Sequence, residues 1–207
     1  MIYLDNAATS HPKPEQVYVA VDHALRHVSA NPGRSGHAMS IEADRLIYHA
    51  REDVAKLFGI RHPERIIFTP NATAALNLAI KGLVRPGSHC VTTTMEHNSV
   101  TRPLRFLAGI GAQFDKVTVS PAGVLDPADV AGAIKENTKL VAITHASNVI
   151  GTVTPAADVT RLAHARGVPV LLDAAQTAGA LPIDVEAMGI DLLACPGHKC
   201  MFGPQGT

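Results

Sequence analysis

Val170-Leu171-Leu172-Asp173-Ala174-Ala175-Gln176, residues 170–176, is an apolar run that ends in a carboxylate and continues in small residues. A strand that is apolar on both faces belongs in the middle of a sheet covered from both sides, the usual setting of a parallel strand. Leu140-Val141-Ala142-Ile143 reads the same way. Outward from these two, short β-branched runs at 65–69, 89–94, 113–119, 139–147, 168–175 and 191–195 predict six strands. Between them, 73–83, 99–107, 127–135 and 155–166 carry apolar residues at three- and four-residue steps and predict helices. This alternation predicts an α/β fold, a mainly parallel sheet with helices on both faces. Upstream, 15–28 and 40–58 predict two more helices, parted by a loop at Asn31-Pro32-Gly33-Arg34-Ser35-Gly36.

Composition bounds the function. With 207 residues, 46% of them hydrophobic, the chain can bury a sizeable core as one large domain with or without an N-terminal arm. Lys plus Arg equals Asp plus Glu at 18 each, which removes the electrostatic signature of a nucleic-acid or anionic-membrane binder. A small-molecule partner is expected instead. Three cysteines make no disulfide framework, and the first residues lack the basic-then-apolar pattern of a secretory signal, so the expected compartment is the cytoplasm. Gly, Pro, His or a charge interrupts every apolar run before the ~20 residues needed to cross a bilayer. Gly203-Pro204-Gln205-Gly206-Thr207 is a turn sequence with nothing after it, from which a chain cut short is expected.

In parallel sheets ligands sit beyond the carboxyl ends of the strands, so polar residues after apolar runs are the first candidates. Pro70-Asn71-Ala72-Thr73 precedes a predicted helix whose free N–H groups and dipole suit a phosphate; helix capping by Asn71 or Thr73 is the structural alternative. In Glu96-His97-Asn98-Ser99 an imidazole could stack on a flat ring or exchange protons, although most of the 11 histidines are expected at the surface or in packing. Ser147-Asn148 and Ile150-Gly151-Thr152 offer an amide near a ring substituent, or simply a turn. Asp173 is sharper, because an unpaired carboxylate after a buried strand is costly and needs a partner. A protonated pyridine nitrogen is one such partner; a structural Arg or a helix N-terminus is another. Gly197-His198-Lys199 then puts a lysine at the same rim, able to form an imine with an aldehyde cofactor.

These residues divide the labour of one cofactor, and together they carry a resemblance. The chain resembles the aminotransferase class V group of fold-type I pyridoxal-phosphate enzymes, and within it the cysteine desulfurase and selenocysteine lyase branch. The likeness runs from Tyr3-Leu4-Asp5-Asn6-Ala7-Ala8-Thr9 through Asn31-Pro32-Gly33-Arg34-Ser35-Gly36-His37, Ala72-Thr73, Glu96-His97-Asn98, Asn148 with Ile150-Gly151-Thr152, and Asp173-Ala174-Ala175-Gln176 to Gly197-His198-Lys199.

By that resemblance Lys199 is the Schiff-base lysine, Asp173 the partner of the pyridinium, Gln176 a donor to the ring hydroxyl, and His97 the stacking and proton-exchanging imidazole. Ala72, Thr73 and His198 are similar to phosphate ligands, and Asn148 to the asparagine near the ring oxygen. Pro196 departs from the pattern, since many relatives have Ser there, and proline offers a phosphate neither hydroxyl nor N–H.

The resemblance further implies pyridoxal 5'-phosphate as cofactor, cysteine or selenocysteine as substrate, alanine and enzyme-bound sulfur as products, a homodimer, and a sulfur-acceptor protein as partner. It divides the chain into an N-terminal arm and helix at 1–38 and an incomplete cofactor-binding large domain at 39–207. The last strand, the small domain, the substrate-carboxylate arginine and the persulfide cysteine come later in the family, so little desulfurase activity is expected of these 207 residues alone. The missing strand would lie between the run around Ile67 and the one around Leu193, and a gap in the sheet is expected there. Rival readings are a class V aminotransferase acting on a small amino acid, a non-catalytic fragment of the fold, and a zinc module on Cys195, His198 and Cys200. The last lacks an evident fourth ligand and a common zinc spacing, so no metal site is predicted.

Overall fold

The computed structural model describes residues 2–34 and 36–207, so Ser35 of the predicted loop lies outside the described residues. In chain order come α1 (Glu15–His27), α2 (Ala38–Leu57), a 3-10 turn (Pro63–Arg65), α3 (Ala72–Leu83), β1 (His89–Thr93), α4 (Asn98–Ala108), β2 (Gln113–Val117), α5 (Pro127–Gly132), β3 (Thr138–Thr144), α6 (Ala156–His164), β4 (Val170–Asp173) and β5 (Leu192–Ala194). The five strands form one sheet in the order β2-β1-β3-β4-β5, every pair parallel.

The apolar strands split by residue parity, as a pleat requires. Val91, Val141, Ile143, Val170 and Leu172 face one core with Val130 of α5 and Ala156, Val159 and Ala163 of α6. Cys90, Leu140, Ala142 and Leu171 face the other with Leu76 and Ile80 of α3 and Val100, Leu104 and Leu107 of α4. Helices thus cover both faces, as the doubly apolar runs predict.

One predicted strand is not in the sheet. Arg65 ends the 3-10 turn, Ile66 is extended, and residues 66–69 pair with no strand among the described residues. β-branched and aromatic content favours a pleated surface but supplies no ladder partner, and without one the backbone seeks other acceptors and donors. The Arg51 guanidinium donates to the Ile66 carbonyl and stacks 5.5 Å from the Phe68 ring, while Ile67 stays 69% exposed. The free edge of β5 and this unpaired segment agree with the gap expected beside Leu193. α1 also departs from the pattern of the sheet helices, since it buries none of its residues.

Topology places the crevice. From β1 the chain passes to β2 on one side, and β3 lies on the other, so the strand order reverses between β1 and β3. The carboxyl ends at such a reversal splay their loops apart and leave room for a ligand. The register aligns those ends: Thr144 of β3 lies opposite Asp173 of β4, and Asp173 opposite Ala194 of β5.

Candidate functional site

Beyond the carboxyl ends lies a cavity of about 380 Å³. Ala72, Thr73, His97, Asn148, Asp173, Gln176, His198 and Lys199 all line it, so every residue that the resemblance assigns to the cofactor reaches one space. Asp5, Ala7 and Ala8 of the N-terminal segment close another side, and Pro196 contributes to the wall.

Asn71 caps α3 by accepting the Ala74 N–H at 2.8 Å, leaving the Ala72 and Thr73 N–H groups without an acceptor among the described residues. Free N–H groups at the positive end of a 12-residue helix attract an anion. Capping, opposed to anion binding in the sequence reading, falls to Asn71 and leaves the Ala72 and Thr73 N–H groups free for an anion.

His97 caps α4: its Nδ1 accepts the Ser99 N–H at 3.1 Å, which fixes the remaining ring proton on Nε2. Ser99 Oγ lies 2.9 Å from that Nδ1 and 2.8 Å from Thr73 Oγ1. With Nδ1 an acceptor, Ser99 donates to it and accepts from Thr73. One buried hydroxyl thus couples the two helix starts that hold His97 and Thr73. Ser99→Ala is expected to cost about 1 kcal/mol of stability in urea unfolding and to shift the His97 ring resonances, whereas a surface serine replacement would do neither.

Asp173 is 3% exposed and Oδ1 accepts the Ala175 N–H at 3.0 Å. Burial pushes its carboxyl above the usual carboxylate range, against the pull of that N–H and of His97 and Lys199. The environment is that of an acid awaiting a cation. Lys199 is half-buried, and desolvation lowers its ammonium below the ordinary lysine value, although Asp173 opposes the shift. A lysine so placed reaches its unprotonated, nucleophilic form more readily than a solvated one.

The loop that carries Lys199 is clamped by the arm. The His198 carbonyl accepts from Thr9 Oγ1 at 3.1 Å, from Ser10 Oγ at 3.2 Å and from Lys13 Nζ at 3.2 Å. Thr9 Oγ1 also lies 3.1 Å from His198 Nδ1, and burial with the nearby Lys199 and Lys13 charges pushes that imidazole down, toward neutrality. On the other side, Gly179 has φ +82°, and a Cβ there would fall 2.7 Å from the Cys200 carbonyl oxygen. Glycine permits both the turn and the close approach of the lysine loop to the chain after Asp173.

Gln176 Nε2 donates to the Ala7 carbonyl at 3.4 Å, and Asn148 sits on the exposed loop after β3. Cys195, His198 and Cys200 form no metal cluster, and among the described residues no group of three or more His, Cys, Asp or Glu could hold a metal ion. Burial pushes the Cys195 thiol up to about 11, away from the thiolate a metal would need. Among the described residues no helix is long and apolar enough to cross a membrane. Glu96, Ser99, Thr9, Ser10 and Lys13 escaped assignment from the sequence, although all but Ser10 and Lys13 fall within its quoted motifs.

The sequence profile of the family described as aminotransferase class-V matches residues 2–207. A probable cysteine desulfurase of Methanothermobacter thermautotrophicus is 38% identical over 100% of this chain and 51% of its own length. The cysteine desulfurase IscS of Dictyoglomus turgidum is 37% identical over 100% of this chain and 52% of its own. The chain therefore spans about half the length of the curated relatives it matches. Among solved structures, SspA in complex with cysteine superposes with a TM-score of 0.94 at 35% identity, over 100% of this chain and 59% of that one. The apo cysteine desulfurase from Thermococcus onnurineus NA1 superposes at 0.92 with 35% identity, over 99% of this chain and 52% of that one.

Proposed function

Because the chain belongs to the aminotransferase class-V family, we propose that its cavity binds pyridoxal 5'-phosphate through Lys199 and serves a cysteine desulfurase that acts on cysteine or selenocysteine. The observation that carries this reading is the pairing of a buried, cation-seeking carboxylate, Asp173, with a desolvated amine, Lys199, in one cavity at the sheet's strand ends. The donor set fits the cofactor. Ala72 and Thr73 N–H groups with His198 would hold the phosphate, Asp173 the ring nitrogen, Gln176 and Asn148 the ring oxygen, and His97 the ring face. When bound, the cofactor supplies an electron sink for a substrate carbanion. Asp173 keeps the ring charged, His97 offers its Nε2 proton at the ring, and the arm residues Thr9, Ser10 and Lys13 hold the lysine loop in place.

In this reading residues 39–207 form the cofactor-binding domain and 1–38 the arm that packs on it. A homodimer and a sulfur-acceptor protein are the proposed macromolecular partners. Cys90, Cys195 and Cys200 are free thiols, which suits the reducing cytoplasm proposed for the chain.

Mixing the chain with pyridoxal phosphate, reducing with borohydride and mapping the labelled peptide tests the reading. One label per chain on Lys199 is expected. Label scattered over exposed lysines such as Lys56 would overturn it.

A further inference from the structure

Beside the crevice between β1 and β3, one carboxyl group has no place in the scheme above. Glu96 follows β1 and directly precedes His97. Its Oε1 accepts the Thr93 hydroxyl at 2.7 Å and the Thr144 backbone N–H at 3.0 Å. Thr93 ends β1 and Thr144 ends β3, so a single oxygen ties the turn that presents His97 to the neighbouring strand. Oε2 is buried and has no hydrogen-bond partner among the described residues.

We propose that Glu96 is held as a neutral carboxylic acid in the folded chain and acts as a positioning residue, fixing His97 at the cavity wall without setting a second negative charge beside Asp173. With two donors on Oε1, that atom is the carbonyl-type oxygen and the proton belongs on Oε2. An ionised Oε2 would be a buried anionic oxygen with no donor, a costlier state than a neutral O–H in the same place.

The surrounding groups pull both ways, since the Thr93 hydroxyl and the Thr144 N–H favour an ionised Glu96 and burial outweighs them. Asp173, at the end of β4, repels charge on Glu96, and Lys116 on β2 favours it weakly. Cys90 on β1 is a thiol that its own burial keeps protonated, so it sets no charge beside Glu96. Burial is the largest influence and pushes Glu96 up to about 8. Asp173 differs, since the Lys199 charge favours its ionised form. Two carboxyls at neighbouring strand ends are thereby assigned different jobs, one to carry charge and one to carry shape.

The proton on Glu96 does not depend on any cofactor, whereas its value to His97 rests on the reading above. Infrared spectroscopy of the whole chain at neutral pH tests the first statement: a protonated-carboxyl C=O band should be present and should vanish in E96Q. Urea unfolding supplies a second readout. Because the folded value is raised above 4.5, the stability this proton provides is full below that pH and is lost as pH rises through about 8. E96Q stays neutral throughout and should flatten that decline. For His97, the imidazole 15N resonances should move in Glu96→Ala and stay near those of the wild type in E96Q. Absence of an E96Q-sensitive band at neutral pH, or an E96Q chain as perturbed at His97 as Glu96→Ala, overturns the proposal. Should Glu96→Ala fail to fold, the wild type and E96Q still decide it. All these readouts survive a failure of cofactor binding, so the two readings fall separately.

Discussion

Lys199→Ala should abolish the visible imine band of the chain mixed with pyridoxal phosphate, and with it the borohydride-fixed label. The loss is expected to be complete, because no other amine in the cavity can substitute: Asn148, Gln176 and the imidazoles of His97 and His198 form no stable imine with an aldehyde. Lys199→Arg should behave alike, since a guanidinium keeps the charge but is never deprotonated in proteins. That variant separates imine formation from a general need for positive charge. The pH dependence carries its own sign. Desolvation lowers the Lys199 ammonium below the ordinary lysine value, so imine formation should fall off with acid at a lower pH than it does for a solvated lysine. A band that persists in Lys199→Ala, or that follows the titration of an ordinary lysine, would place the aldehyde elsewhere.

How far the site can be read from the chain depends on whether each signal is local. The runs at 140–143 and 170–172 announce their burial on both faces because neither contains a polar alternate, and both became central strands. Asp173 is legible for a related reason, as a charge set directly after such a run demands a partner. Residues 65–69 carry the same β-branched and aromatic character yet stay outside the sheet, because strand identity belongs to the pair and not to the segment. The clamp on the lysine loop is invisible locally, since Thr9 and Lys13 reach His198 across 189 and 185 residues of chain. Glu96 was overshadowed by its neighbour His97. Its Oε1 is held by the N–H of Thr144, 48 residues on, and no pattern around Glu96 foretells that contact.

Asp173→Asn should act in opposite directions on the chain alone and on the chain with cofactor. Alone, the wild-type carboxyl is 3% exposed, and the Ala175 N–H meets only one of its oxygens. Burial raises its folded value above the usual carboxylate range, so its proton is bound more tightly folded than unfolded. Stability tied to that proton is present at acid pH and lost as the pH rises through the raised value. Asparagine keeps an acceptor for the Ala175 N–H and carries no charge, so the variant should unfold at higher urea than the wild type near neutrality. In acid the two should converge. With pyridoxal phosphate the sign reverses, because the ring cation loses its counter-charge in a buried setting. Breaking one side of such a pair costs about 3–5 kcal/mol, or about 10²–10⁴-fold in affinity, read from an absorbance titration. A residue that costs stability when alone and recovers it with its ligand is placed there for binding. A variant that loses stability without cofactor and binds it as well as the wild type would make Asp173 a structural residue instead.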